Sequence, residues 1–388
     1  MKLAIVHGKV LTMSDKLKKV IPGGTVLIND GMIEGVLEKE AQIPKEYRLI
    51  EAKGCFVLPG FIEAHCHMGI TEEKKGMEGD DCNEAVNPLT PSLRAIDAIN
   101  PMDDAFHNAV RAGITAAMIG PGSANVAGGQ FVVVNNHGRC IDNMILRFPA
   151  ALKVAFGENP KVNYSGMGKS PSTRMAIADM LRKELFSARQ YLDNLGKNSE
   201  KDLHYEAYIP VLKKEIPLKA HAHRADDILT AIRIAKEFDI KMTLDHCSEG
   251  HLIADEIKES GFPAIVGPDF ASRNKIEVQN MAFKTAGILS KAGVLTAITT
   301  DHPVSIIQTL PLCAAMAVKE GMDMEDALKA ITINAARICG VDNLIGSLDA
   351  GKQGDVVIYN GHPFDIFTQT MCTIIKGRIV YRAPEFMI

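Results

Sequence analysis

Apolar and polar positions along the chain fall into three stretches with different rhythms. In the first 55 residues, short apolar runs (residues 2–8, 22–38 and 51–60) are punctuated by Gly23-Gly24 and Asn29-Asp30-Gly31, a pattern that predicts short antiparallel strands. The last stretch repeats it, with runs at 356–359 and 373–381 between Gly/Pro turns. Neither end holds enough strands for a stable sheet. The two ends are therefore expected to build one small β-sandwich together, as residues 1–55 and 343–388 around a central domain of residues 56–342.

In that central stretch eight apolar runs (60–65, 113–120, 130–136, 150–156, 217–222, 241–246, 262–268 and 294–301) alternate with segments of helical period. Helices are predicted over 98–112, 172–195, 225–238, 249–260, 280–292, 306–319 and 324–339. Apolar strands bounded by amphipathic helices imply a covered parallel sheet, and eight of them fit an α/β fold of the (β/α)8 TIM-like barrel type. Residues 68–100, rich in Glu, Gly, Asp and Pro, are too long for a plain connection and read as a functional loop or lid; the polar segment 159–170 is a second such loop.

Composition narrows the function classes. The 388 residues carry a formal charge of −4, are 46% hydrophobic and have no basic block and no tryptophan, so no nucleic-acid footprint is expected and the partner is a small molecule. The N-terminal run meets His7-Gly8-Lys9 too early for a signal peptide, and no apolar run is long enough to span a membrane. Eight cysteines without CxxC spacing read as reduced thiols, which points to the cytoplasm. A homo-oligomer is expected.

Among twelve histidines, His65, His67, His221 and His246, with Asp301, stand at or beside the C-terminal ends of predicted strands one, five, six and eight. That end of a barrel is where active sites are built. His65 and His67, two apart, share one side of an extended strand. A lone His-x-His pairs by accident, and His246 or Asp301 alone would read as a turn residue; together they predict a site for a zinc-like divalent ion, with manganese, iron or nickel also suited to the donors. His7, His107, His137, His204, His251, His302 and His362 lack such placement. Cys66 and Cys247 are turned away by alternation and read as packing residues.

The segment Phe56-Val57-Leu58-Pro59-Gly60-Phe61-Ile62-Glu63-Ala64-His65-Cys66-His67 resembles the first-strand signature of the amidohydrolase superfamily, and residues 346–357 resemble its closing motif, with Gly354 in place of the usual Ala. The resemblance covers the whole chain and is nearest to the imidazolonepropionase-related and dipeptidase-like branch, through residues 218–228 and 298–304. It implies that His65, His67, His221, His246 and Asp301 are the metal-site residues; His223, pointing the same way two residues after His221, is expected to bind substrate or the metal's water, and Gln130, in the glycine-rich stretch at the end of strand two, is read from that position as substrate-binding. Deaminases of the superfamily place a Glu three residues after the strand-five His; here Arg224 stands there.

The resemblance also bears on metal count. Lys153 lies in a strand-four segment similar to that of members whose lysine is carboxylated and bridges two ions. Glu158, nearer the strand end, is the alternative bridge, and a single ion with neither is the third possibility. The expected reaction is hydrolysis of an amide-type C–N bond, cyclic or peptide-like, with Asp301 as the base and His246 or His223 beside the oxyanion. A deaminase of the same superfamily and a non-catalytic binding protein on this fold are the alternatives.

Overall fold

The computed structural model describes residues 2–39, 42–196 and 200–387. Its strands, in chain order, are β1 (Lys2–Leu11), β2 (Val20–Asn29), β3 (Met32–Leu37), β4 (Arg48–Glu51), β5 (Phe56–Pro59), β6 (Phe61–Cys66), β7 (Ile114–Ile119), β8 (Ala127–Asn135), β9 (Ile145–Ala155), β10 (Leu218–Ala222), β11 (Met242–His246), β12 (Ala264–Val266), β13 (Thr296–Ile298), β14 (Val356–Tyr359), β15 (Thr370–Ile375) and β16 (Arg378–Arg382).

Hydrogen bonds sort these strands into two eight-stranded sheets. One has the order β16-β15-β14-β5-β1-β2-β3, with β4 on β1, so strands from both chain ends meet where β14 pairs with β5. These strands form one continuous ladder rather than two separately bonded layers. Leu3, Ile5, Val26, Ile28, Val57, Ile358 and Ile374 form its buried core.

The other sheet runs β6 to β13 in sequence order and is a nearly closed barrel. It departs from a strict (β/α)8 pattern at β8, which is antiparallel to both β7 and β9. The reason is connection length: only residues 120–126 and 136–144 join these strands, and a parallel neighbour needs a crossover of roughly a dozen residues or more. Between β13 and β6 a side chain closes the seam. The buried Glu63 carboxylate on β6 accepts from the Thr300 N–H (2.9 Å) and hydroxyl (2.7 Å), and from the Thr299 hydroxyl.

Helices cover the outside because their apolar positions repeat at three and four residues. In helix Ala225–Phe238, Ile228, Ala231, Ile232, Ala235 and Phe238 face inward, and Asp239, at φ 52°, ends it. The helix expected from residue 98 begins at Asp104, since Pro101 disfavours helix at Asn100 and Asp103 is extended. The helix expected over 324–339 is two, Met324–Ala330 and Ile333–Cys339; the break lets the Ile331 carbonyl accept from the Ile62 N–H at 2.9 Å. The polar segment read as a loop from residue 159 is in large part helical, Glu158–Gly166. Among the described residues no helix is long and apolar enough to cross a membrane.

The two sheets are joined at Gly60, whose N–H donates to the Asp355 carbonyl at 3.0 Å. The buried Asp355 carboxylate accepts from the Lys376 N–H (2.9 Å), the Gln353 amide (2.9 Å) and, at the foot of β8, the Asn135 amide (3.2 Å). The acidic residue of the closing motif thus ties the end of β15 to the barrel.

Candidate metal centre

Five histidines, His65, His67, His221, His223 and His246, and Asp301 converge at the C-terminal mouth of the parallel strands. Alternation along β6 sends Glu63, His65 and His67 to one side. His246 departs from alternation: Asp245 already points inward, and a φ of 76° at His246 turns the chain so that the next side chain also enters the barrel. Asp301, at φ 53°, is re-aimed in the same way beyond β13. Such angles are uncommon outside glycine and are held here by surrounding packing.

The side chains form two adjoining trios of donor atoms that share His246: His65, His246 and Asp301, and His221, His223 and His246, each within 4.8 Å of one another. His67 joins the first trio, its Nε2 3.1 Å from Asp301 Oδ1, and His65 Nε2 is 3.4 Å from the same oxygen. In the second, the rings of His223 and His246 stack with centroids 4.8 Å apart, and His223 Nδ1 meets the Ser248 hydroxyl at 2.7 Å.

Hydrogen bonds decide which ring nitrogens are free. His67 Nδ1 is 2.7 Å from the Gly120 carbonyl and His246 Nδ1 is 2.8 Å from the Gly267 carbonyl. A carbonyl only accepts, so both Nδ1 atoms carry protons, and Nε2 is the nitrogen each ring has left for a cation. Asp301 Oδ1, His221 Nδ1 and Glu277 Oε1 are buried without a hydrogen-bond partner. Burial drives the pKa values of His65 and His246 well below the usual imidazole range and those of His221 and His223 to about 3, which favours the uncharged form a metal requires. Lone pairs and an orphaned carboxylate oxygen in one buried cluster fit a divalent cation.

Lys153, on β9, is fully buried with Nζ 3.4 Å from His65 Nε2. Burial lowers its pKa to about 8. Glu158 belongs to neither trio: it starts helix Glu158–Gly166, and its carboxylate accepts from the Glu277 N–H at 3.4 Å. Gln130 pairs through its backbone with Leu93 of the long loop and, among the described residues, makes no side-chain hydrogen bond to the histidines. Arg224 turns away to a two-pronged pair with Asp226, at 2.9 Å for each contact.

Four further buried residues adjoin the site. Asp245 and Lys219 lie beneath it, and Glu277 stands with Oε1 3.7 Å from His221 Nε2. Glu63 is the fourth, and burial raises its pKa to about 7. Alternation signals two of them, Glu63 two residues before His65 and Lys219 two before His221. Glu277 sits in an irregular segment after β12 with no pattern to announce it.

Residues 56–380 match the description of the amidohydrolase family. The chain belongs to the amidohydrolase family. A solved amidohydrolase from Thermotoga maritima MSB8 superposes with a TM-score of 0.94 at 38% identity, over 98% of this chain and all of that one. The amidohydrolase tasK of Hapsidospora irregularis is 26% identical over 93% of this chain, which spans only 40% of tasK. An imidazolonepropionase from Clostridium tetani is 24% identical, covering 94% of this chain and 92% of its own. This amidohydrolase is accordingly a hydrolase acting on carbon–nitrogen bonds.

Proposed function

We propose that the protein hydrolyses an amide-type C–N bond, in a cyclic amide or a peptide-like substrate, at a divalent metal centre for which zinc is the first candidate. The observation that carries this reading is the convergence of His65 Nε2 and His67 Nε2 on Asp301 Oδ1, a buried oxygen without a hydrogen-bond donor. When bound, a divalent ion supplies Lewis acidity, making water ionisable at a pKa of about 7 and polarising the carbonyl under attack.

The residues of the chain do the rest. Asp301 takes the proton of the attacking water and returns it to the leaving nitrogen. His246 acts as a ligand rather than an oxyanion donor, because its single N–H is engaged by Gly267. His223 can donate from Nε2 to the oxyanion when Ser248 donates to its Nδ1. Lys153, rather than Glu158, is the bridging candidate: its neutral amine adds carbon dioxide and loses a proton, replacing a cation beside His65 by a carbamate anion. Arg224 leaves no acid three residues after His221, which speaks against deamination. On the same reading residues 56–342 are the catalytic unit and the protein works in the cytoplasm, as its eight free cysteines favour.

The test is metal analysis of protein purified without added metal, followed by assay on cyclic amides and on N-acyl and prolyl dipeptides. Release of a new carboxylate that stops on chelation and returns with zinc is expected. Ammonia release from amino-heterocycles without new carboxylate, or turnover indifferent to chelation, overturns the reading.

A further inference from the structure

A clasp of hydrogen bonds closes beside the second histidine trio. Residues 158–159 follow β9 and residues 275–277 follow β12, and these two strands flank β10 and β11, which carry His221 and His246. The Glu158 N–H donates to Glu277 Oε2 at 2.9 Å, the Glu277 N–H donates back to Glu158 Oε2 at 3.4 Å, and Lys275 Nζ donates to Asn159 Oδ1 at 2.6 Å. The Asn159 amide is fixed in turn. Its Nδ2 donates to the Ser123 hydroxyl at 2.8 Å, in the turn between β7 and β8, and lies 3.3 Å from His221 Nε2.

The clasp brings a cation to the edge of the candidate metal centre, one amide group away from His221. Unlike the buried Lys153 and Lys219, the Lys275 side chain is 43% exposed. Its ammonium has three donors. One is engaged by a neutral oxygen, and among the described residues the other two meet no acceptor. Glu277 Oε1, 4.0 Å from Nζ, is beyond hydrogen-bond reach. Exposed lysines elsewhere on the chain fold onto carboxylates: Lys18 onto Glu38, Lys74 onto Asp104, Lys183 onto Asp179 and Lys214 onto Asp239. Lys275 is held against the site with donors unspent.

We infer that Lys275 is a specificity-determining residue: it receives an anionic group of the substrate, a carboxylate near the bond that is cut, and so selects acidic amides such as N-acyl amino acids over neutral ones. The inference rests on the proposed amide hydrolysis and names its substrate class. An ammonium and a carboxylate form a charge-assisted hydrogen bond, stronger than one between neutral groups. Asn159 restrains the long lysine stem beforehand, so less side-chain freedom is lost when the anion arrives.

Two measurements test it. The first compares kcat/KM for matched pairs of N-acyl amino acids and their carboxamides in zinc-loaded wild type, Lys275→Met and Lys275→Arg. The wild type should prefer the acid, and Lys275→Met should reduce that preference roughly 10- to 100-fold, mainly through KM, with Lys275→Arg keeping most of it. Attraction of the acid to zinc itself is common to all three proteins and drops out of the comparison. A merely structural clasp would weaken both substrates alike, so an unchanged acid-to-carboxamide ratio in Lys275→Met overturns the inference. The second is calorimetric binding of N-methanesulfonyl amino acids, whose sulfonamide offers no carbonyl to attack, and of their carboxamides. Tighter binding of the acids that is lost in Lys275→Met supports the inference even if no amide is turned over, an outcome that sinks the proposed hydrolysis alone. Equal binding of acid and carboxamide by the wild type, or binding of neither, overturns the inference.

Discussion

His67 Nε2 meets Asp301 Oδ1 at 3.1 Å, while the other nitrogen of the ring is already committed to the Gly120 carbonyl. The two electron-rich atoms are held together from different elements, β6 and the turn after β13, and the contact is favourable only with positive charge between them. Burial alone would lower the basicity of this imidazole, yet its neighbours Cys82 and Asp301 raise its pKa to about 10. A proton fills the role in the bare protein, and the same attraction draws a divalent ion.

Asp301→Asn separates binding from proton transfer. The amide keeps an oxygen donor but is a very weak base, so kcat is expected to fall on the order of 10²- to 10⁴-fold. Metal content is measured alongside; full activity with metal retained would remove Asp301 from the role of base.

Lys153→Ala is expected to lower the number of tightly held ions and abolish turnover, and added short-chain carboxylates should restore part of it. Wild-type protein equilibrated with 13C-labelled carbon dioxide should show a carbamate carbon in its NMR spectrum that is missing in the variant. Equal metal content in the two proteins would leave Lys153 as an ordinary buried amine.

The Glu63 seam predicts a stability effect. Glu63→Ala strands the Thr300 N–H and hydroxyl in the interior, while the Thr299 hydroxyl keeps the His65 carbonyl, and should cost on the order of 3 kcal/mol in chemical denaturation. A Thr300→Val change removes only part of the network and should cost less.

Gly60 sits where a side chain has no room. A Cβ there would come within 2.6 Å of Thr115 Cβ and closer still to its Oγ1 and Cγ2. Gly60→Ala is expected to destabilise the protein by about 2 kcal/mol. Trimming Thr115 to Ala recovers only part of that, because the offending Cβ remains; thermal melts of the single and double variants decide.

Burial raises the Asp355 pKa from 3.8 to about 6. The folded state therefore holds a proton that the unfolded chain has released between those values, and stability falls as pH rises through that window. Below pH 3.8 the penalty vanishes, and above about 6 it is complete. Asp355→Asn should flatten this slope in melts taken from pH 3.5 to 7; an unchanged slope would assign the pH dependence elsewhere.

How far the sequence foretold this arrangement depended on periodicity. Two-residue alternation carried His65, His67 and His221 to the right side of their strands and, applied two residues further back, reaches Glu63 and Lys219. It fails at His246, because no pattern of residue types reveals a left-handed backbone at a non-glycine position. The helix Glu158–Gly166 buries only Pro160 and Tyr164, too few apolar positions to show a helical period among its asparagines and serine. The reversed β8 had a legible sign, the lack of room for a helix on either side of it, which counting strand runs passes over. Asp245 was hidden by its neighbour: with His246 taken as inward, alternation turns Asp245 out.

The reversal of β8 also divides labour between its two turns. Residues 120–126 lie at the mouth, and Gly120 there fixes His67. Residues 136–144 lie at the opposite end beside the outer sheet, where His137, Arg139, Asp142 and Asn143 are exposed. The lower turn is therefore a natural port for grafting, where a fluorophore, affinity tag or inserted domain can be carried without touching the chemistry, whereas even a one-residue insertion in the upper turn would pull a ligand off its mark.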